Sequence, residues 1–92
     1  MALADEVKNY LQITWNDPDT DARLTGIIDR GTSFFEDLVG EPIDFEKDKK
    51  AKSLLLDYCR YANSSTLELF QKNFSAELLN LQIGYQVKRY AK

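Results

Sequence analysis

Residues 17–42 read DPDTDARLTGIIDRGTSFFEDLVGEP, and both ends of a long helix can be marked in that run. Asp17 before Pro18 forms a start signal. Proline has no N–H to lose at the first helical position, and the aspartate side chain can accept from the orphan backbone donors. Asp19 and Asp21 add negative charge where the helix dipole favours it. Leu24, Ile27, Ile28, Gly31, Phe34, Phe35, Leu38 and Val39 then keep one apolar stripe, after which Gly40 offers a left-handed cap and Pro42 blocks continuation. The spacing predicts a helix over 18–39. Gly26 and Gly31 each cost it about 1 kcal/mol relative to alanine, which points to a close approach by another helix or a slight bend.

Working outward, Leu3, Val7, Tyr10 and Leu11 fall at i, i+4, i+7 and i+8, one face of a short N-terminal helix. Ile13 and Trp15 are expected to tuck that helix against the body. After a connector, Glu41 to Glu46, with Ile43 and Phe45 inward, a second long helix is expected over 46–72. Its buried face is Ala51, Leu54, Leu55, Tyr58, Cys59, Ala62, Ser65, Leu69 and Phe70, and the small residues from Ala62 to Ser65 invite tight packing or a local weakness. Asn73 to Ser75 reads as a break with Ser75 as cap. Beyond it the pattern is double: Leu78, Leu81 and Tyr85 fit a helix, whereas Leu79, Leu81, Ile83, Tyr85 and Val87 alternate as in a strand. The expectation is a short C-terminal helix to about Ile83 and a tail, 84–92, of uncertain structure, flexible or ordered by a partner. The fold class is therefore all-α, a small bundle of two long helices with a short helix at each end, in one domain spanning 1–92.

The charge on the chain is uneven. From Met1 to Glu46 there are eleven acids against three bases, about −8, and from Lys47 to Lys92 four against nine, about +5, within a total of −3. A subunit acidic in one half and basic in the other suits head-to-tail stacking or a charged partner, where complementarity sets register more than affinity. Lys47, Lys49, Lys50 and Lys52 crowd a helix start that the dipole makes unfavourable for cations. A solvated surface balanced by Asp44, Glu46 and Asp48 accounts for them, as does an acidic patch on a neighbour. Lys88, Arg89 and Lys92, mixed with Tyr85 and Tyr90, form a basic-aromatic end of the kind interfaces use for anchoring.

Candidate chemistry is thin. The chain has no histidine, the commonest general base and metal ligand, so histidine-dependent triads cannot be built. Asp17, Asp19 and Asp21 resemble the opening of a calcium loop, but Ala22 and Ile28 stand where that loop needs glycine and glutamate. Gly26 and Gly31 lie inside a helical stripe and no phosphate-binding signature follows. Glu36 and Asp37 oppose the dipole at a helix end and are read as facing solvent or a basic partner. The single Cys59 reads as a small buried hydrophobe. No cofactor, metal or catalytic residue is expected. The first residues carry no signal-peptide pattern and no apolar run approaches the ~20 residues of a membrane span, so a soluble intracellular protein is expected.

The order of features resembles a known family. Val7-Lys8-Asn9-Tyr10-Leu11 precedes an Asp-rich turn from Asn16 to Asp21, and a helix with a paired-isoleucine motif follows, Leu24 to Ile28. A Gly-Glu-Pro connector leads to a helix bearing Tyr58, Tyr61 and Asn63, and then to the segment Phe70 to Gln82. This is similar to the small head–tail connector (head-completion) proteins of tailed bacteriophages and their prophage relatives. The resemblance implies a helical subunit that assembles, about twelve copies, into a ring with two unlike faces per subunit. The ring would sit beneath the portal protein, extend the channel for genomic DNA without reading its sequence, and carry a stopper or tail component. It would be found in the virion at the head–tail junction, and in the host cytoplasm during assembly.

On that reading the inter-subunit candidates are Asp29, Glu36 and Asp37 against Lys49, Lys50 and Lys52. The portal-binding candidates are Leu78, Leu81, Tyr85, Lys88, Arg89 and Tyr90. Two other classes compete: a monomeric or dimeric regulatory domain binding protein through a helix groove, and a small DNA-binding or packaging accessory protein. A pI near 4.8 with no arginine cluster makes a poor DNA reader.

Overall fold

In the computed structural model, residues 3–13 and 17–90 are described, the last two by backbone alone. Trp15 lies outside the described residues. The chain forms α1 (Leu3–Tyr10), α2 (Pro18–Val39), α3 (Lys49–Asn63), α4 (Leu67–Asn73) and α5 (Ser75–Tyr90), with no strand among the described residues. It is an all-α fold.

The helix α2 begins and ends where its sequence signals stand. Asp17 holds an extended backbone and its Oδ1 accepts from the Asp19 N–H at 3.2 Å. Gly40 takes φ 80°, and its N–H donates to the Glu36 carbonyl at 2.8 Å. α3 runs antiparallel to it: Arg23 donates to Asn63, while Gly31 faces Leu55 and Tyr58. A Cβ on Gly31 would come within 2.7 Å of Leu55 Cδ1 and 2.8 Å of Tyr58 Cδ1. Of the two glycines within α2, Gly31 is the one required by packing. Gly26 meets only the flexible tip of Arg30, at 3.4 Å.

α1 lies across both long helices. Val7 is fully buried, Lys8 pairs with Asp21 of α2 at 2.6 Å, and the Tyr10 hydroxyl donates to Asp57 of α3. Gln12 turns the chain with φ 61°, which lets the Ile13 N–H reach the Lys8 carbonyl at 2.9 Å and buries Ile13 as expected.

The expected helix over 46–72 is not continuous. α3 starts at Lys49, because Asp44 and Asp48 hold residues 44–48 in a capped turn, and it ends at Asn63. Ser65 adopts φ 57°, and both the N–H and the hydroxyl of Thr66 bond to the Tyr61 carbonyl, at 2.9 and 3.2 Å. Serine and threonine side chains compete with helix hydrogen bonds in this way. The reversal corrects the expected buried face: Ser65 and Leu69 are exposed, while Phe70 swings fully inside. Phe70 becomes the centre of an aromatic cluster, with ring centroids 4.9 Å from Phe74, 5.6 Å from Tyr58, 5.7 Å from Tyr61 and 6.2 Å from Phe35.

The C-terminal helix is also longer than expected. α5 begins at Ser75, which is its first residue and not a cap, and runs through Gly84 to Tyr90. It returns antiparallel to α3, so that Tyr85 reaches Asp48 at the start of that helix.

Candidate functional site

Where α5 meets the start of α3, two residues hold the junction. Asp48 uses one carboxylate oxygen to cap α3, accepting from the Ala51 N–H at 3.0 Å, and the other to accept from the Tyr85 hydroxyl at 2.5 Å. Partial burial pushes the Asp48 carboxyl up. The hydrogen bonds from Tyr85 and Ala51, with Lys88 nearby, outweigh it and hold the group below the ordinary carboxylate range. Tyr85 moves the other way: burial, then the Asp48 carboxylate, raise its phenol well above the usual value. Lys88 Nζ lies 5.1 Å from the centre of the Tyr85 ring, a cation–π distance. Beside this junction an open cleft of about 670 Å³ is lined by Glu41, Asp44 and Asp48 together with Lys47, Lys49 and Lys88.

Tyr85 stays protonated and donates a hydrogen bond. Cys59 is fully buried and its thiol is pushed up to about 12 by desolvation, so no thiolate forms near neutral pH. Among the described residues no group of three or more cysteine, aspartate or glutamate side chains could hold a metal ion. No described helix is long and apolar enough to cross a membrane.

The proposed contact residues fare unequally. Asp29, Asp37, Lys49 and Lys50 are exposed and join no ion pair among the described residues. Glu36, expected to face solvent or a partner, instead accepts from the Ile43 N–H at 2.9 Å and braces the turn after α2. Lys52 is tied within its own chain to Glu6, 2.6 Å away, and that hydrogen bond raises its pKa. The end-to-end charge split also changes in space. Glu41 and Asp44 of the connector share the mixed cleft with Lys47 and Lys49, which follow them closely in the chain, and with Lys88 of α5.

Of the residues expected to meet a portal, Leu78, Leu81 and Tyr85 lie inside the subunit, 8%, 3% and 7% exposed. They are core residues of the subunit, which corrects their reading as portal-binding candidates. Lys88 is exposed; the side chains of Arg89 and Tyr90 lie outside the described residues. The residues that sequence reasoning passed over are Leu79, Ile83 and Val87, exposed at 54%, 46% and 59%. At about 100° per residue they form a stripe on the face of α5 opposite Leu78, Leu81 and Tyr85. Apolar residues on two faces of one helix produce the strand-like alternation in the sequence. The signal was therefore present, in a helical wheel continued as far as Tyr90.

Comparison with protein-family models, with curated proteins and with solved structures gives no match to this chain.

Proposed function

We propose that the chain is a structural adaptor subunit of a tailed-phage particle, assembling as a ring of about twelve copies between portal and tail or stopper. The observation that carries this reading is the ordered run of motifs from Val7-Lys8-Asn9-Tyr10-Leu11 through Gly40-Glu41-Pro42 to Phe70–Gln82, which resembles the head–tail connector proteins. The fold supports it in two respects. It is all-α, and it leaves surface that the isolated subunit does not use: exposed Asp29 and Asp37 on α2, exposed Lys49 and Lys50 at the start of α3, and the outer stripe of α5.

Neighbouring subunits on this reading meet through Asp29 and Asp37 of one copy and Lys49 and Lys50 of the next. Glu36 and Lys52 are engaged internally and drop out of the contact. The portal side is met by the outward residues of α5 together with Lys88, and genomic DNA passes through the ring without sequence-specific contact. Negative-stain microscopy of the purified chain, alone and mixed with a portal protein, tests the reading. Rings of about twelve subunits in either sample support it. The double variant Lys49→Glu/Lys50→Glu should fold normally and fail to form rings. Absence of any ring with or without portal would falsify the assignment.

A further inference from the structure

The two long helices end differently. α2 is closed by its sequence: Gly40 takes φ 80° at no steric cost and Pro42 follows. α3 is closed by the same kind of left-handed turn, but Ser65, at φ 57°, stands where glycine is usual. The Ser65 N–H bonds to the Ala62 carbonyl at 3.1 Å and the Thr66 N–H to the Tyr61 carbonyl at 2.9 Å. A residue with a Cβ is strained in that conformation. The local sequence does not demand the stop. Residues 49–73 contain neither glycine nor proline, and Ala51, Leu55, Tyr58, Ala62, Ser65 and Leu69 keep helical spacing straight through the turn. The turn leaves Ser65 and Leu69 exposed, and Thr66, before α4, makes no side-chain capping bond. Beyond it α4 and α5 form one arm. They are joined at Phe74 alone, whose N–H reaches the Phe70 carbonyl and whose carbonyl accepts from the Leu78 N–H, both at 2.9 Å.

We infer that residues 64–66 are a hinge, and that two copies of this chain exchange their arms, residues 67–90, with α3 and α4 of each copy straightened into one helix. Straightening relieves Ser65 and lets the N–H groups of Ser65, Thr66, Leu67 and Glu68 bond to the carbonyls four residues back. The occupant follows from the inner face of the arm. Phe70, Leu78, Leu81 and Tyr85 are at most 8% exposed, and an open arm would give them to water. The surface built to cover them is the place that another arm has left. It offers the rings of Phe35, Tyr58 and Tyr61 around Phe70, and the carboxylate of Asp48 for the Tyr85 hydroxyl. Reciprocal exchange closes the pair about a two-fold axis, so no arm is left over. Every contact between arm and body is kept, and the balance between monomer and dimer rests on the hinge, on concentration and on the entropy of association. Short hinges under strain favour exchange for this reason. The inference does not rest on the ring reading.

The chain is unfolded in urea and refolded at about 10 μM and at about 1 mM, and its mass is read by size-exclusion chromatography with light scattering. A dimer should appear at the higher concentration and revert slowly on dilution, since reversal requires the arm to leave the core. Two variants of the exposed Ser65 should act in opposite directions. Ser65→Gly suits the turn and weakens the straight helix, whereas Ser65→Ala does the reverse. With two hinges in each dimer, their dimerisation constants should differ at least about tenfold, both proteins remaining folded by circular dichroism. Isotope-filtered NMR of a dimer refolded from mixed labelled and unlabelled chains should show the Phe70 ring against Tyr58 of the other chain. Contact between Phe70 and Tyr58 only within one chain overturns the exchange, as does a Ser65→Ala protein that stays wholly monomeric at about 1 mM. Equal constants for the two variants overturn the hinge. Rings, present or absent, change none of these readings, so the two proposals fail separately.

Discussion

The α2–α3 seam and the α5 helix are built from the same kinds of residue, yet they stand in opposite relation to solvent. In the seam Leu24, Ile27, Ile28, Phe35 and Val39 of α2 are buried, both helices are capped by side chains at their starts, and a glycine, Gly31, is required because Leu55 and Tyr58 occupy the space of its Cβ. In α5 only one of two apolar faces is covered, and its glycine, Gly84, has empty space beside it. Apolar spacing alone thus marks a surface that wants covering, without saying whether the cover comes from the same chain.

The contrast breaks most readily at Phe70, which joins the seam to the returning C-terminal segment. Phe70→Ala should destabilise the fold by about 3–5 kcal/mol in a urea titration, since it removes a fully buried ring touched by several others. A loss under 1 kcal/mol would show that the cluster does not hold α4 in place. The two glycines give a sharper comparison. Gly31→Ala should cost about 1–3 kcal/mol through overpacking, even after its gain in helix propensity. Gly84→Ala should add up to about 1 kcal/mol in the same urea titration. The same sign for both variants would refute the difference drawn here.

Asp48 links the two regions, and pH reads its contribution. Its carboxyl is held below the ordinary value near 4, so the stability it supplies is complete above that pH and is lost as pH falls through the lower folded value. Tyr85 has the opposite sign. Its raised phenol supplies stability that is complete below about pH 10 and is lost as pH rises further. Asp48→Asn should flatten the acid limb of the stability profile and Tyr85→Phe the alkaline limb, both read by thermal melts across pH. The smallest effect is expected on the outer face. Val87→Ser should change monomer stability by no more than about 0.5 kcal/mol, as is usual for an exposed position. A larger loss would mean that Val87 is covered within the subunit after all.

Reading the chain residue by residue recovers α2 to its last turn because its signals are local: Asp17 and Pro18 at the start, Gly40 and Pro42 at the end. The start of α3 was placed early, since the turn at 44–48 depends on aspartate side chains bonding backbone donors two or three residues away. The reversal at Ser65 was legible only as a weakness. Whether a run of small polar residues is carried through a helix or released into a turn depends on what the next segment gains, and here Phe70 gains a full aromatic surround. Among the candidate contact residues, exposure of Asp29, Asp37, Lys49 and Lys50 followed the helical pattern. The internal engagements of Glu36 with the Ile43 N–H and of Lys52 with Glu6 did not, because each joins groups brought together by a turn or by α1 crossing α3.

The sequence by itself determined that the chain is helical and where its longest helix begins and ends, since these rest on composition and on signals a few residues apart. Only the tertiary structure decided which face of α5 is inside. Leu78, Leu81 and Tyr85 are inside and Leu79, Ile83 and Val87 outside, and from the inner face Tyr85 also reaches the second carboxylate oxygen of Asp48, thirty-seven residues earlier in the chain. A helix with two apolar faces carries no local mark of which one its own chain will bury.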